Sequence, residues 1–373
     1  MKCTTKKADI QDVLSKIQTL AGRKTNLAIT TNVLIRSDVS EICLIATDLE
    51  TGFEGHYPAD VTTPGSIAIN AKKLFEIIKE FPSEDILLNE TENQWIEISN
   101  KKVEFHLMGM NPEEFPEHPQ IADATLFEVD SGALSKMIDQ TGIVAGASDD
   151  RRAHITGVLM EILDTDAGPL FRLVSTDGSR LSKVDYPLAQ DLALPEMPTI
   201  IIPKKGLNEV GKFLEPSGSV QLGIKNNNFI VKKANETIIV RLLEGEFPKY
   251  QEIIAKPDQA VTAYLDKKAF QKTLRRMSIL SSENYKGIIF KFDTDRLEIR
   301  ANNPEIGESK EELAIEYQGA LIEAAFNPRF FSETLSVVEG DKIQINLTDS
   351  ERPCLVEGQA DQGFLSVIMP MRI

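Results

Sequence analysis

Thr199–Leu214, TIIIPKKGLNEVGKFL, decides how the rest of the chain is read. An apolar run is followed by Pro203 and then by a segment of helical period. Leu207, Val210, Gly211 and Leu214 stand at i, i+3, i+4 and i+7, so they line one face of a helix. Pro203 stands where that helix begins, a position at which a missing N–H is no loss. The same design recurs upstream over Ile67–Phe81, with Leu74, Ile77, Ile78 and Phe81. It recurs downstream over Ile322–Val338, with Phe331, Thr334, Leu335 and Val338. Lys72, Lys205 and Arg329 each precede the first face residue by two positions. An internal repeat with a cation in one register is a stronger signal than any single motif in the chain.

A second helix opens each repeat. Its face is Ile10, Val13, Leu14 and Ile17 in the first copy, Leu134, Met137, Ile138 and Thr141 in the second, and Phe270, Thr273, Leu274 and Met277 in the third. Alternating strands repeat as well. Ile42–Ala46 runs into Thr47-Asp48-Leu49-Glu50, Phe171–Ser175 into Thr176-Asp177-Gly178-Ser179, and Leu297–Ala301 into Asn302-Asn303-Pro304-Glu305. Each is an apolar run ended by turn chemistry. Pro116–Asp123 and Ala255–Asp258 are joins without periodicity. The expected fold class is therefore α+β: three repeated domains, 1–124, 125–254 and 255–373, each with two helices on largely antiparallel sheet.

Composition sets the outer bounds. The 373 residues are 42% hydrophobic and 26% charged, a globular balance with material for several cores. Met1–Lys7 is polar and basic with no apolar segment after it, so no signal peptide is expected. No run approaches the roughly 20 apolar residues of a membrane helix, and no membrane partner is expected. Cys3, Cys43 and Cys354 are odd in number and far apart, which reads as free thiols in a reducing cytoplasm.

A net charge of −16 argues at first against nucleic acid. Screening confines surface fields to roughly 10 Å, however, so an acidic chain holds a basic face if its cations are segregated. The helices carry them: Lys72, Lys73 and Lys79; Lys204, Lys205 and Lys212; and Lys267, Lys268, Lys272, Arg275 and Arg276. Acids gather instead in strands and loops, as in Glu113-Glu114 and Glu305–Glu312. This pattern suits helices gathered on one mildly basic surface. It equally suits amphipathic helices with ordinary charged solvent faces. Aromatics form no stacking platform and no recognition-helix or finger spacing appears, so any DNA contact should go to phosphates without reading sequence.

No catalytic constellation stands out. A phosphate-cradling glycine loop, a metalloprotease helix, a C-x-x-C pair and a nucleophile elbow are all missing. His56, His106, His118 and His154 lie in separate segments and read as surface or packing residues. Asp177-Gly178-Ser179-Arg180 reads as a turn, and Asp149-Asp150 beside Arg151-Arg152 as a surface charge cluster. No catalytic residue, metal or cofactor is expected. The tail Val367-Ile368-Met369-Pro370-Met371 is apolar where fraying is usual. It reads as a last core strand, as the wall of an adaptable apolar pocket, or as both.

Taken with the triple repeat, Thr176–Leu181 (TDGSRL), Glu246–Tyr250 (EFPKY), Ala301–Glu305 (ANNPE) and Met369–Arg372 (MPMR) resemble the bacterial β sliding clamp of DNA polymerase III over the whole chain. The resemblance implies a head-to-tail homodimer whose six domains close a ring around duplex DNA, helices lining the hole. It places Phe105, Ile279 and Leu280 at the dimer interface. It places Arg23, Arg152 and Lys205 toward DNA, to which the helix registers add Lys72, Lys204 and Arg276. It implies a pocket for a linear partner peptide, walled by Ile155, Thr176, Gly178, Arg180, Leu181, Pro248, Ile253, Val367, Met369, Pro370, Met371 and Arg372. The implied partners are sequence-independent double-stranded DNA, the replicative polymerase alpha subunit, the clamp loader, and other polymerases, ligase and mismatch-repair proteins. Such a protein catalyses nothing. Ser179 and Lys249 depart from the residues most common there and bear on peptide preference. A repeat-built protein scaffold that never encircles DNA is the competing expectation.

Overall fold

The computed structural model describes residues 1–22, 25–117, 119, 121, 123–146, 155–189, 199–280 and 287–372. Seven helices occur among them: α1 (Lys7–Ala21), α2 (Ala71–Glu80), α3 (Ser131–Gly142), α4 (Lys204–Phe213), the single turn α5 (Gln251–Ile254), α6 (Lys267–Met277) and α7 (Pro328–Val337). Among the described residues every strand pairing is antiparallel, in sheets of twelve, eight and four strands.

The helix faces follow the sequence period closely. Ile10, Val13, Leu14 and Ile17 are buried on α1, and Phe270, Thr273, Leu274 and Met277 on α6. Phe331, Thr334, Leu335 and Val338 are buried on and just after α7. Asn70, Asp266 and Asn327 cap α2, α6 and α7, each side-chain oxygen accepting a backbone N–H of the first turn. Pro328 fills the first position of α7, where its fixed φ suits the helix.

Three expectations shift. Pro203 is the last residue of the strand Ile200–Pro203 and pairs with Gly157; the helix begins at Lys204. That strand is the edge of the eight-stranded sheet, where proline is tolerated. Gly206, Leu207, Val210 and Phe213 form the buried apolar face of α4, Glu209 is buried beside them, and Gly211 and Leu214 are only half-buried. Gly206 sets this rotation, because a Cβ there would fall inside the Val240 side chain. Phe213 then stacks on Phe53 at 4.8 Å. Finally, Asn302 and Asn303 remain in the strand Arg296–Asn303, opposite Glu308 and Gly307, so the turn comes after them.

By packing, the described residues fall into two compact units. One holds 1–134 and 205–242; the other holds 135–189, 199–204 and 243–372. The division falls inside the central repeat, because strands of successive repeats share sheets. In the first unit, Thr51–Thr63 pairs with Glu236–Arg241, and this joins the four strands from the central repeat to those of the first in the twelve-stranded sheet. In the second unit, Arg180–Pro187 pairs with Leu365–Ile368 in the eight-stranded sheet. The core of the four-stranded sheet is aromatic: Phe331 lies 5.1 Å from Phe290, 5.5 Å from Phe326 and 5.8 Å from Phe270, ring centre to ring centre.

Candidate functional site: an apolar pocket and scattered helix cations

The second unit brings together most of the residues expected to wall the peptide pocket. Arg180 and Leu181 stand opposite Ile368 and Val367 in antiparallel register. Leu181 and Val367 belong to one buried cluster with Leu159, Val174, Ile201, Tyr250, Leu355 and Leu365, against which Phe247 and Ile254 pack. Tyr250 is fixed there by its hydroxyl, which donates to Glu161. The strand before the tail ends at Ile368, and the backbone then changes partners. The Met369 N–H donates to Ser179 O at 3.0 Å and the Met371 N–H to Ala325 O at 2.7 Å. Met371 is therefore tied by its backbone after Pro370. Met371 is 38% exposed, Met369 39% and Ile253 40%. Pro248 and Arg372 are exposed, Pro370 is half-buried, and Ile155 is buried. The strand that supplies Val367 to the buried floor thus leads directly into an exposed apolar lip at Met369 and Met371, residue types that suit an apolar ligand.

The turn at Asp177–Arg180 holds one side of this lip. Asp177 Oδ1 accepts the N–H groups of Ser179 and Arg180, and the Thr176 hydroxyl donates to Arg180 O at 2.8 Å. Gly178 has φ +88°, the left-handed region in which glycine is unstrained. The Arg180 guanidinium is buried. Its Nε donates to Asp177 Oδ2 at 2.9 Å and its Nη2 to Ile143 O at 3.0 Å. Its Nη1 lies 2.6 Å from Glu333 Oε2, an ion pair set off the hydrogen-bonding direction. Its plane lies over the Phe330 ring at 4.4 Å. Phe330 and Glu333 of α7 were missed by the sequence reading. Only the Arg329–Glu333 spacing of four on a helix hints at them, and that spacing explains their mutual pair, not their reach to Arg180.

The expected DNA-contacting residues meet different fates. Arg23 and Arg152 lie outside the described residues. Lys72 is exposed in the first turn of α2 and makes no ion pair among the described residues. Lys204 is half-buried and donates to Ala145 O at 3.1 Å. Burial, then the charge of Arg180, holds its ammonium below the ordinary range, with Glu333 opposing. Lys205 lies 3.0 Å from Asp48 and 2.9 Å from Glu50. Burial works against its charge, but the bonds and charges of Glu50 and Asp48 outweigh burial and hold it above the ordinary range. Arg276 is clamped by both oxygens of Glu311, with Nε to Oε2 at 2.8 Å. Lys272 and Arg275 on α6 are exposed with no ion pair among the described residues, so they are freer cations than two of those singled out.

The residues expected at a dimer interface all lie by outer strands of their sheets. Phe105 is 41% exposed on Glu104–Met108, the edge of the twelve-stranded sheet, and rests 6.5 Å from Phe81. Ile279, 74% exposed, and Leu280, half-buried, follow α6; the Leu280 carbonyl accepts from Asn303 Nδ2 at 3.0 Å. Beside them runs Gly307–Ala314, an edge of the four-stranded sheet.

Comparison with known proteins settles the family. Models of the N-terminal, central and C-terminal domains of the DNA polymerase III beta subunit match residues 1–119, 128–249 and 253–372, in that order. The chain belongs to the DNA polymerase III beta subunit family. It is 29% identical over 373 residues to the beta sliding clamp of Chlamydia pneumoniae, covering all of this chain and 99% of that protein. The crystal structure of the DNA polymerase III subunit beta from Pseudomonas aeruginosa superposes with a TM-score of 0.92 at 27% identity, over the full length of both chains. A Pseudomonas aeruginosa sliding clamp bound to griselimycin superposes at 0.91, also at 27% identity and full length. The three-domain clamp architecture is thus the fold of this chain. No described helix is long and apolar enough to cross a membrane.

Proposed function

We infer that the chain is a DNA sliding clamp. It encircles duplex DNA, tethers the replicative polymerase and so confers processivity. The observation that carries this reading is the match of all three clamp domains, in order, to the family along the full chain. The chain is divided here at 1–124, 125–254 and 255–373, a division that rests on the internal repeat. Two chains join head to tail, an interface that closes into a ring when its rotation does. Exposed edge strands are templates for pairing, and Glu104–Met108 and Gly307–Ala314 with Phe105, Ile279 and Leu280 are the natural partners in that join.

The mechanism is topological and non-catalytic. A ring that slides needs weak, exchangeable phosphate contacts, since each neutralised phosphate adds about 0.9 to the salt slope of binding. Lys205 and Arg276, already held by carboxylates, fit this need, and Lys72 and Lys204 extend the cationic set with Arg23 and Arg152. The pocket around Leu181, Val367, Met369 and Met371 accepts linear peptides. The polymerase alpha subunit, the clamp loader, other polymerases, ligase and mismatch-repair proteins would compete for it in the cytoplasm.

The test is retention on circular against linearised DNA after loading by a matching loader with ATP. Retention on circles with loss from free ends at moderate salt is expected. Equal retention on both would reduce the protein to an electrostatic binder. Loss from both, with loader activity and the dimer verified, would favour the scaffold reading.

A further inference from the structure

We propose that Cys43, Glu54 and His56 form a binding site for a divalent transition-metal cation of the zinc class, with Glu41 orienting the imidazole. The site lies on one face of the strands Glu41–Thr47 and Thr51–Thr63. Alternation puts Glu41 and Cys43 on one face of the first strand, and Glu54 and His56 on one face of the second. The antiparallel register sets Cys43 directly opposite His56. Three different donor types meet as a result. His56 Nε2 lies 3.1 Å from Glu54 Oε1 and 3.8 Å from Cys43 Sγ, and all three donor atoms fall within 4.8 Å of one another.

These separations fit a tetrahedral cation. Metal–ligand bonds of about 2.0 Å to nitrogen and oxygen and about 2.3 Å to sulfur put nitrogen about 3.3 Å from oxygen and about 3.5 Å from sulfur. The second ring nitrogen is already engaged: His56 Nδ1 lies 2.8 Å from Glu41 Oε1. A carboxylate behind a metal-bound imidazole fixes its tautomer and leaves Nε2 for the metal. The imidazole is 41% exposed, so water completes the fourth position. The charges close as well. Arg36 stands opposite Cys43 from the neighbouring strand. One guanidinium and one dication balance a thiolate and two carboxylates; on binding, the thiol proton passes to solvent. Thiolate with imidazole and carboxylate selects zinc-like cations over calcium or magnesium. The expectation of no metal rests on missing ligand motifs and on histidines in separate segments; strand register, not spacing, assembles this set.

The experiment is a titration of the reduced full-length protein with cobalt(II), read by the thiolate-to-cobalt charge-transfer absorption, followed by zinc competition. One cobalt per chain with that band, displaced by zinc, is expected. Cys43→Ser should remove the band, His56→Gln should weaken binding at least about tenfold, and Glu41→Gln should weaken it about tenfold while keeping the band. Circular dichroism confirms that each variant is folded. Cobalt uptake without the band, a band that survives Cys43→Ser, or no uptake at micromolar protein would each overturn the proposal. DNA retention plays no part in this readout.

Discussion

Leu181 of the central repeat stands opposite Val367 of the last strand, in a register that also sets Arg180 opposite Ile368. Residues nearly two hundred positions apart thereby form one sheet and one buried floor. The lip that follows this strand, Met369 and Met371, is exposed, apolar and adaptable, because methionine fills irregular shapes at little cost.

Met369→Ala combined with Met371→Ala should strip the lip without touching the floor. Peptide affinity should fall by about 2 kcal/mol or more, roughly a thirtyfold rise in Kd. Calorimetry with a clamp-binding peptide measures it, and sedimentation checks that the dimer persists. Unchanged affinity would remove these methionines from the pocket.

Glu50→Gln should strengthen DNA binding. Lys205 is shared between Asp48 and Glu50, and releasing one carboxylate frees charge for phosphate. The salt slope of binding to short duplex should steepen, and Lys72→Ala should flatten it by up to about 0.9. Anisotropy over a salt series reads both. A Glu50→Gln slope equal to the parent would mean Lys205 does not face the duplex.

Phe331→Ala should cost about 3–5 kcal/mol of stability in urea, as for other buried aromatics. Phe331 is fully buried among Phe270, Phe290 and Phe326. A loss below about 1 kcal/mol would show that α7 is held by something other than this cluster.

Glu333 links acid sensitivity to the pocket. Burial alone would raise its carboxyl, but the hydrogen bond from Arg329 and the nearby guanidinium charges of Arg180 and Arg329 outweigh burial and hold it below the ordinary 4.5. A depressed carboxyl contributes its stability above the unfolded value. That contribution is lost as pH falls below about 4.5 through the lowered folded value. Glu333→Gln should therefore lower Tm at neutral pH and lessen its fall on acidification. Parallel Tm–pH curves for the two proteins would contradict this.

Much of the architecture is legible along the chain. The apolar periods of α1, α3, α6 and α7 name their buried faces, because a helix face is set by residues within a few turns; on α2 Leu74 and Ile78 are buried but Ile77 is only half-buried. The turn at Asp177-Gly178 is equally local: an Asx oxygen and a glycine at positive φ suffice. The face of α4 is the instructive departure. Its period alone does not choose between Phe213 and Leu214; the close approach of Gly206 to Val240 does.

The sequence by itself determined the threefold repeat, the helix registers and the cations they carry, since each depends on neighbours in the chain. Only the tertiary structure decided that Lys205 is held by Asp48 and Glu50, that Arg180 reaches Glu333 and lies over Phe330, and that Cys43 faces His56. Each of those depends on strand register and burial between distant segments. Local propensity carries no information about either, because the free energy that selects them is released only when the sheets close.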